Sequence, residues 1–228
     1  MNAALSSDSA LEVSANQSNY LLRVLRLGDG AAVRVFNGED GEWAAELVVT
    51  GRSPRLHLKE LRREQVSVPD LELAFAPLKK TRTDFVIEKA TELGVRTITP
   101  VLTQYTQSQK VRTDRFRSLA SEAAEQTERL DLPTINDAVK LSDWLSRRPA
   151  DRHLIYCDES GQDGVLKQSL EGMKPGPSTI LIGPEGGFSE QERKMLRAIP
   201  ATVPVTLGPR ILRGETAALA ALAIWQSN

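Results

Sequence analysis

From Leu71 onward, short apolar runs that suit β-strands alternate with longer runs that carry apolar residues at helical spacing. This alternation constrains the fold most, because strand, helix and strand in succession build a parallel sheet covered by helices on both faces. We therefore predict an α/β fold for this part of the chain. The predicted strands are residues 71–76, 95–101, 153–157, 179–182 and 203–207. The predicted helices are residues 81–93, 113–130, 141–148, 165–172, 189–199 and 215–226.

The first 68 residues follow a different pattern. A leucine-rich helical turn at 21–27 precedes three short strand-like runs, and Asn37-Gly38 between the first two runs is a strong hairpin signal. Several short strands at this spacing favour a small β-barrel. The predicted strands of this part are residues 32–36, 43–49 and 55–61. We thus predict two domains, residues 1–68 and residues 69–228.

Composition excludes several classes of protein. Of 228 residues, 40% are hydrophobic and 26% are charged, which are globular values. No apolar run approaches the ~20 residues that a membrane span needs, so we expect no membrane association. The first 22 residues contain no Lys or Arg, which argues against a secretory or transit signal and favours a cytoplasmic location. One cysteine and two histidines nearly exclude a closed zinc site, and carboxylate-bound Mg²⁺ stays open without a motif to support it, so we expect no metal.

Two glycine-bearing loops follow the last two predicted strands, at residues 183–189 and 207–214. Ligands of open α/β sheets bind at the carboxyl ends of the strands, and glycine allows the backbone to approach a ligand closely. A single loop of this kind is usually a tight turn, whereas two of them favour a shared ligand. The sequence contains no P-loop, and no Gly-x-Gly-x-x-Gly follows the first strand of the α/β part, so an ordinary nucleotide site is not expected.

Charge is unevenly distributed, although the net charge is only −1. Residues 79–117 contain nine basic and four acidic residues, a local excess of +5. A basic stretch in a neutral protein suits a phosphate-rich partner such as RNA; the alternative is a solvated helix face. On the predicted helix 113–130, several polar residues share one side. They form either a surface network of charges or a polar wall beside the glycine loops. The candidate RNA contacts are Lys79, Lys80, Arg82, Arg112, Gln126 and Arg129.

Four motifs stand in order along the second part. They read Val86-Ile87-Glu88-Lys89-Ala90-Thr91-Glu92-Leu93-Gly94-Val95, Glu122-Ala123-Ala124-Glu125-Gln126-Thr127-x-Arg129, Gly183-Pro184-Glu185-Gly186-Gly187-Phe188-Ser189-x-x-Glu192 and Leu207-Gly208-x-Arg210-Ile211-Leu212-Arg213-x-Glu215-Thr216-Ala217. With these motifs the chain resembles the RsmE family of ribosomal RNA small-subunit methyltransferases. The first part resembles the family's PUA-like β-barrel, an RNA-binding module, more loosely. Where family members usually carry a His-His pair, this chain has Asn19-Tyr20.

The resemblance implies a SPOUT-type fold, in which the C-terminal part forms a deep trefoil knot that binds S-adenosylmethionine, and a homodimer of two chains. It implies methylation of N3 of a uridine in the 16S ribosomal RNA of the small subunit. It also assigns the two glycine loops, and the loop after Cys157, to the cofactor. The implied cofactor-binding residues are Glu159, Ile182, Gly183, Pro184, Gly186, Gly187, Leu207, Gly208, Ile211 and Leu212.

Methylation of uridine N3 requires loss of the N3 proton or stabilisation of the imide anion. A carboxylate can accept the proton, and a guanidinium can stabilise the developing charge. Arg213 and Glu215, beside the second loop, are the leading catalytic candidates, and Glu185 is the next. Because N3 lies on the pairing edge, the target must be unpaired or flipped out. Two alternatives stay open: another SPOUT enzyme that modifies a ribose 2′-hydroxyl or a tRNA base, and a non-catalytic RNA-binding assembly factor.

The last predicted helix is apolar on every side from residue 217 to residue 225. Such a helix must be covered almost all round, either by other helices of the same chain or by a second chain. Together with the family's dimer, this pattern leads us to expect Ala221 and Leu222 on a surface that two copies share. In a two-fold interface a charge introduced there would meet its own copy.

Overall fold

The structure, a computed structural model, describes residues 3–50, 53–108, 110–160 and 163–228, without the side chain of Lys80. The chain divides into two compact units, Met1–Ser67 and Val68–Asn228. Within the described ranges, no helix combines the length and apolar character that crossing a membrane requires.

The first unit is built around an antiparallel sheet with the strand order β1-β4-β3-β2. Helix α1 (Ala15–Asn19) continues directly into a π-helical turn (Tyr20–Val24). The predicted hairpin is confirmed, because the Asn37 side-chain oxygen accepts hydrogen bonds from two backbone N–H groups, 2.8 and 3.0 Å away, and closes the turn. The strands are β1 (Ala10–Glu12), β2 (Ala32–Phe36), β3 (Glu42–Val48) and β4 (Arg55–Arg63).

The second unit contains a sheet in which every described strand pair is parallel. Its strands are β5 (Leu71–Phe75), β6 (Thr97–Leu102), β7 (Thr134–Ile135), β8 (Val139–Lys140), β9 (His153–Cys157), β10 (Gly164–Val165), β11 (Ser178–Ile182) and β12 (Thr202–Thr206). The order is β10-β12-β9-β11-β5-β6-β7, and β8 pairs with β6. The predicted α/β class with a parallel sheet is confirmed.

Helices cover both faces of this sheet, as the alternation predicts. Along β5, Leu73 and Phe75 point to one core and Ala74 points to the other. The first core is closed by α2, α3, α5 and α7, and the second by α4 and α6. The helices are α2 (Lys80–Glu92), α3 (Thr113–Gln126), α4 (Leu141–Arg147), α5 (Leu166–Glu171), α6 (Glu190–Arg197) and α7 (Gly214–Gln226).

Helix α7 is covered on one side by its own chain. Ala218, Ala221 and Leu222 are at most 1% exposed and belong to the first core. The expectation that Ala221 and Leu222 face a second copy is therefore wrong, because neither residue reaches the surface. The other side of α7 carries four residues at helical spacing that are exposed or half-buried. These residues, called the α7 outer stripe below, are Thr216, Leu219, Ala220 and Ala223.

Candidate functional site

Three loops meet at the carboxyl edge of the parallel sheet. They follow β9, β11 and β12, which are neighbours in the order β12-β9-β11. The two glycine loops are thus not on adjacent strands, because β9 and its loop lie between them. In parallel sheets this edge is where ligands bind. The three loops comprise residues 158–163, 183–189 and 207–213, of which residues 161 and 162 lie outside the described part.

Arg193, on the second turn of α6, connects the loop after β9 to the loop after β11 through hydrogen bonds. Its guanidinium donates to the backbone oxygen of Phe188 at 3.1 Å, to Asp158 at 2.7 Å and to Glu159. Gly187 has φ +69°, and a Cβ atom there would overlap the Glu159 carboxylate. Glycine at 187 therefore lets Glu159 lie against the loop after β11. The structure thereby fixes the side chain of a residue that the resemblance assigns to the cofactor.

Asp158 is the buried anchor of the loop after β9. Its side chain is 1% exposed and accepts hydrogen bonds from Arg193, from Arg197 at 2.8 Å and from the backbone N–H of Ser160. Burial alone would raise the pKa of Asp158, but the Ser160 and Arg197 hydrogen bonds and the charge of Arg193 outweigh it and hold the pKa below its usual value. Arg197 also binds Asp163, so both ends of the loop are tied to α6.

We expect Asp158→Asn to lower the free energy of unfolding by about 1–3 kcal/mol, since hydrogen bonds between charged partners contribute roughly this much. The pKa of Asp158 is depressed in the folded state. Its contribution is therefore present above the ordinary value of 3.8 and is lost as the pH falls through the lower folded value. Urea unfolding of wild type and variant between pH 7 and pH 3 measures this. The difference should shrink towards pH 3; a constant difference would contradict the ion-pair explanation.

The glycines of the loop after β11 are required by contacts within the protein. A Cβ atom at Gly183 would lie 2.6 Å from the ring of Phe188, and one at Gly186 would lie 3.3 Å from Tyr105. The Phe188 ring is 3% exposed and meets Tyr156 edge-on, with 5.2 Å between the ring centres. These glycines make room for side chains of the protein itself, so a ligand is not needed to explain why the positions lack a side chain.

Gly208, in the loop after β12, agrees with the prediction that a glycine in these loops leaves room for a ligand. Its φ is +120°, a conformation that side chains disfavour, and no atom lies within 4 Å of a Cβ placed there. Three residues further on, Ile211 is 84% exposed. An exposed isoleucine next to open space at the edge of the sheet is the kind of apolar surface that a bound ligand covers.

Three charged residues from three separate elements meet beside this loop. Arg82 on α2 donates to Glu185, and its Nε lies 3.6 Å from Oε1 of Glu215 in the first turn of α7. The other oxygen of Glu215 is buried and has no hydrogen-bond partner within the described ranges. We call Arg82, Glu185 and Glu215 the Arg82 cluster. Arg213, which precedes α7, is exposed and makes no ion pair within the described part of the chain.

The structure places the six predicted RNA contacts in different surroundings. Lys79 and Gln126 are exposed without side-chain partners among the described residues, and exposed Arg112 pairs with equally exposed Asp114. Arg82 lies in the cluster instead. The prediction for Arg129 is wrong, because its side chain is 8% exposed and donates to Asp131, to the backbone oxygen of Thr91 in the last turn of α2 and to that of Val95 before β6, which makes it structural. Lys80 begins α2, and its side chain lies outside the described part.

In the first unit, Asn19 and Tyr20 are both exposed. Asn19 lines a shallow groove of about 470 Å³, together with Ser18, Arg23 and Pro54 among others. The two residues that replace the family's His-His pair are thus accessible to a ligand of this unit.

Sequence reasoning missed Arg193 and Asp158. The capping box formed by Ser189 and Glu192 marks the start of α6, and Arg193 follows it directly. The position of Arg193 near the start of a helix beside the glycine loop could therefore have been predicted. The Glu192 carboxylate also accepts a hydrogen bond from the backbone N–H of Gln104. No local pattern marks Asp158, because its partners lie 35 and 39 residues further along the chain.

Two family models match the chain. Residues 65–226 match an RNA methyltransferase domain, and residues 13–54 match an RNA methyltransferase PUA domain. Among curated relatives, ribosomal RNA small subunit methyltransferase E of Rickettsia conorii is 33% identical and covers 98% of this chain and 92% of its own length. The protein of the same name from Synechocystis is 31% identical over 95% of this chain and 72% of its own length.

A crystal structure of ribosomal RNA small subunit methyltransferase E from Neisseria gonorrhoeae, bound to S-adenosylmethionine, has the same fold. It matches with a TM-score of 0.87 and 27% identity, over 100% of this chain and 95% of that one. Fold and matched domains together define an RNA methyltransferase with a PUA domain. More narrowly, the chain belongs to the ribosomal RNA small subunit methyltransferase E family.

Proposed function

We propose that this chain methylates N3 of a uridine in the 16S ribosomal RNA of the small subunit, with S-adenosylmethionine as methyl donor. The observation that carries the proposal is the position of exposed Arg213 next to Glu215: among the described residues, Arg213 makes no ion pair and the buried Oε2 of Glu215 has no hydrogen-bond partner. A proton acceptor and a cation then stand together beside the open loop at Gly208. The family to which the chain belongs supplies the class of reaction.

The residues at the sheet edge fit S-adenosylmethionine. Exposed Ile211 and half-buried Leu212 offer apolar surface for an adenine ring, the open side of Gly208 leaves room, and the Glu159 carboxylate can accept hydrogen bonds from ribose hydroxyls. When bound, this cofactor supplies a methyl group that its sulfonium already activates for displacement by an electron pair on the base. We assign to the cofactor Glu159, Ile182, Gly183, Pro184, Gly186, Gly187, Leu207, Gly208, Ile211 and Leu212.

The side chains of the site have separate tasks. Glu215 accepts the proton from uridine N3, and Arg213 stabilises the negative charge that then spreads over the imide oxygens. The loops hold the two reactants together and exclude water, which is the main requirement of a displacement with an activated group. A covalent route through Cys157 is disfavoured, because burial raises the pKa of its thiol to about 12.

We place the RNA on exposed Lys79, Arg112 and Gln126 and on the PUA domain, with the target base unpaired or flipped out. We expect Lys79→Glu to weaken RNA binding and to reduce the slope of log affinity against log salt by about 1. Lys174→Glu is the matched control, because Lys174 is exposed before the amino end of β11, at the opposite edge of the sheet. Filter binding across salt concentrations measures both; equal slopes for the two variants would remove Lys79 from the interface.

Three further parts of the proposal concern assembly and location. We propose a two-fold homodimer through the α7 outer stripe, supported by the exposure of that stripe. We also propose that the C-terminal residues are knotted; the return of the chain from β11 across β9 to β12 supports this path. The cytoplasm, where ribosomal RNA is assembled into subunits, is the proposed location.

The test is methylation of small ribosomal subunits from a strain that lacks the enzyme, followed by digestion and mass spectrometry of the nucleosides. We expect 3-methyluridine with the wild type and at least tenfold less with Arg213→Ala. A methylated ribose, or transfer only to tRNA, would instead identify another RNA methyltransferase. Binding of RNA without any transfer would identify a non-catalytic assembly factor.

A further inference from the structure

One guanidinium in this unit contacts two carboxylates, one in the loop after β11 and one in the first turn of α7. Arg82 lies 103 residues before Glu185 and 133 residues before Glu215 in the sequence, yet it contacts both. Its Nη1 donates to Glu185, and its Nε lies 3.6 Å from Oε1 of Glu215. An arginine can hold two such acceptors at once because its donors are fixed in one plane. The contact connects the start of α2 to the loop after β11 and to the first turn of α7.

The geometry leaves one acceptor of the cluster unused. The Glu215 side chain is 15% exposed, and its Oε2 is buried without a hydrogen-bond partner among the described residues. Native proteins rarely leave a buried carboxylate oxygen unpaired, because the lost hydration is not replaced. Since Arg82 draws Oε1 to its own side, Oε2 is the oxygen left for a donor that arrives with a ligand. A uridine N3–H is a donor of this kind.

We propose that Arg82 is a positioning residue, which fixes Glu215 so that Oε2 takes the proton of uridine N3; this rests on the proposed function. In the step, the N3–H bond breaks, an O–H bond forms at Oε2, and the electron pair remains on N3. Arg82 touches neither reactant and acts through Glu215. Glu185 holds the opposite side of the guanidinium and so limits its rotation.

The same residue could instead bind an RNA phosphate, as the basic stretch first indicates. The structure argues against this role, because a phosphate next to Arg82 would also lie next to two carboxylates. Lys79, three residues earlier, is exposed and has no ion-pair partner in the described part of the chain, so it is the better phosphate contact. The two roles predict different kinetic effects.

The experiment measures kcat, KM for RNA and cofactor affinity for wild type, Arg82→Ala, Arg82→Lys and Arg115→Ala. Arg115 is the matched control: it is 39% exposed, against 33% for Arg82, and it pairs with Asp84 of α2. Each protein is assayed on RNA with uridine and on RNA with 5-fluorouridine, whose N3–H is more acidic. Calorimetry gives the cofactor affinity, and thermal unfolding shows whether each variant is folded.

We expect Arg82→Ala to lower kcat about 10- to 100-fold on uridine, less than the ~10²–10⁴ that a general base contributes. KM for RNA and cofactor affinity should stay within about twofold. The loss should shrink on 5-fluorouridine, because a more acidic proton depends less on its acceptor. Arg82→Lys should fall between, since one ammonium cannot hold both carboxylates, and Arg115→Ala should match wild type.

Three results would overturn the inference. These are unchanged kcat in Arg82→Ala, a raised KM for RNA with normal kcat, and an equal loss on both RNAs. The first shows that Glu215 needs no orientation, the second identifies a phosphate contact, and the third identifies a purely structural role. Failure of the proposed function is distinct from all three, because it shows in wild type as absence of 3-methyluridine.

Discussion

Gly208→Val is expected to weaken S-adenosylmethionine binding roughly 10- to 100-fold while the protein stays folded. Gly208 has φ +120°, and a β-branched residue held in such a conformation costs about 1–3 kcal/mol. Without cofactor, the loop of the variant can avoid this cost by changing its conformation, because no atom within 4 Å of the Cβ position holds it in place. Binding must then restore the strained conformation, and each 1.4 kcal/mol is a factor of about ten in affinity. The valine side chain would also occupy space that we assign to the cofactor.

Gly172→Val is the matched control for this substitution. Gly172 ends α5 with φ −92°, which any residue adopts, and a Cβ atom there would make only an ordinary 3.9 Å contact. Isothermal calorimetry should show wild-type affinity for the control, and thermal unfolding should show both variants folded. Wild-type cofactor affinity in Gly208→Val would remove the loop after β12 from the cofactor site.

The sequence predicted most of the second unit because each of its main elements carries its own periodic signal. Strand β9 occupies the predicted residues 153–157, and α7 begins one residue before the predicted start. Strands β7, β8 and β10 were not predicted, because two residues are too few to show alternation. In the first unit, β1 and α1 were not predicted because both are short, whereas the predicted helical turn at 21–27 overlaps the π-helical turn Tyr20–Val24.

The site was harder to predict because it depends on strand order and on long-range pairs. The two glycine loops were visible, but nothing local indicates that β9 lies between β11 and β12. Arg82 looked like a phosphate contact, since its neighbours in the sequence are basic and its carboxylate partners are more than 100 residues away. Arg129 looked like part of a polar helix face, but α3 ends at Gln126, and beyond the helix the Arg129 side chain donates to the backbone oxygen of Val95. Local charge thus did not reveal the partners of either arginine.

Leu222→Glu is expected to prevent folding rather than to separate two folded copies. Leu222 is 0% exposed in the first core, so the substitution removes a packed side chain and buries a charge without a partner. The first effect costs about 2–5 kcal/mol and the second several more, which together rival a domain's usual ~5–15 kcal/mol. We therefore expect insoluble protein. Leu222→Ala, with the cavity cost alone, should remain soluble with a lowered unfolding midpoint in urea.

Ala223→Glu is the matched substitution, because Ala223 is the next residue on α7 and lies on the outer stripe. We expect it to fold with nearly wild-type stability, since its side chain is exposed. If two copies pack through this stripe, each carboxylate meets its own copy across the two-fold axis, and the variant should sediment as a monomer where the wild type sediments as a dimer. A wild-type monomer at micromolar concentration would contradict the proposed dimer. A soluble, fully stable Leu222→Glu would contradict the placement of Leu222 in the core.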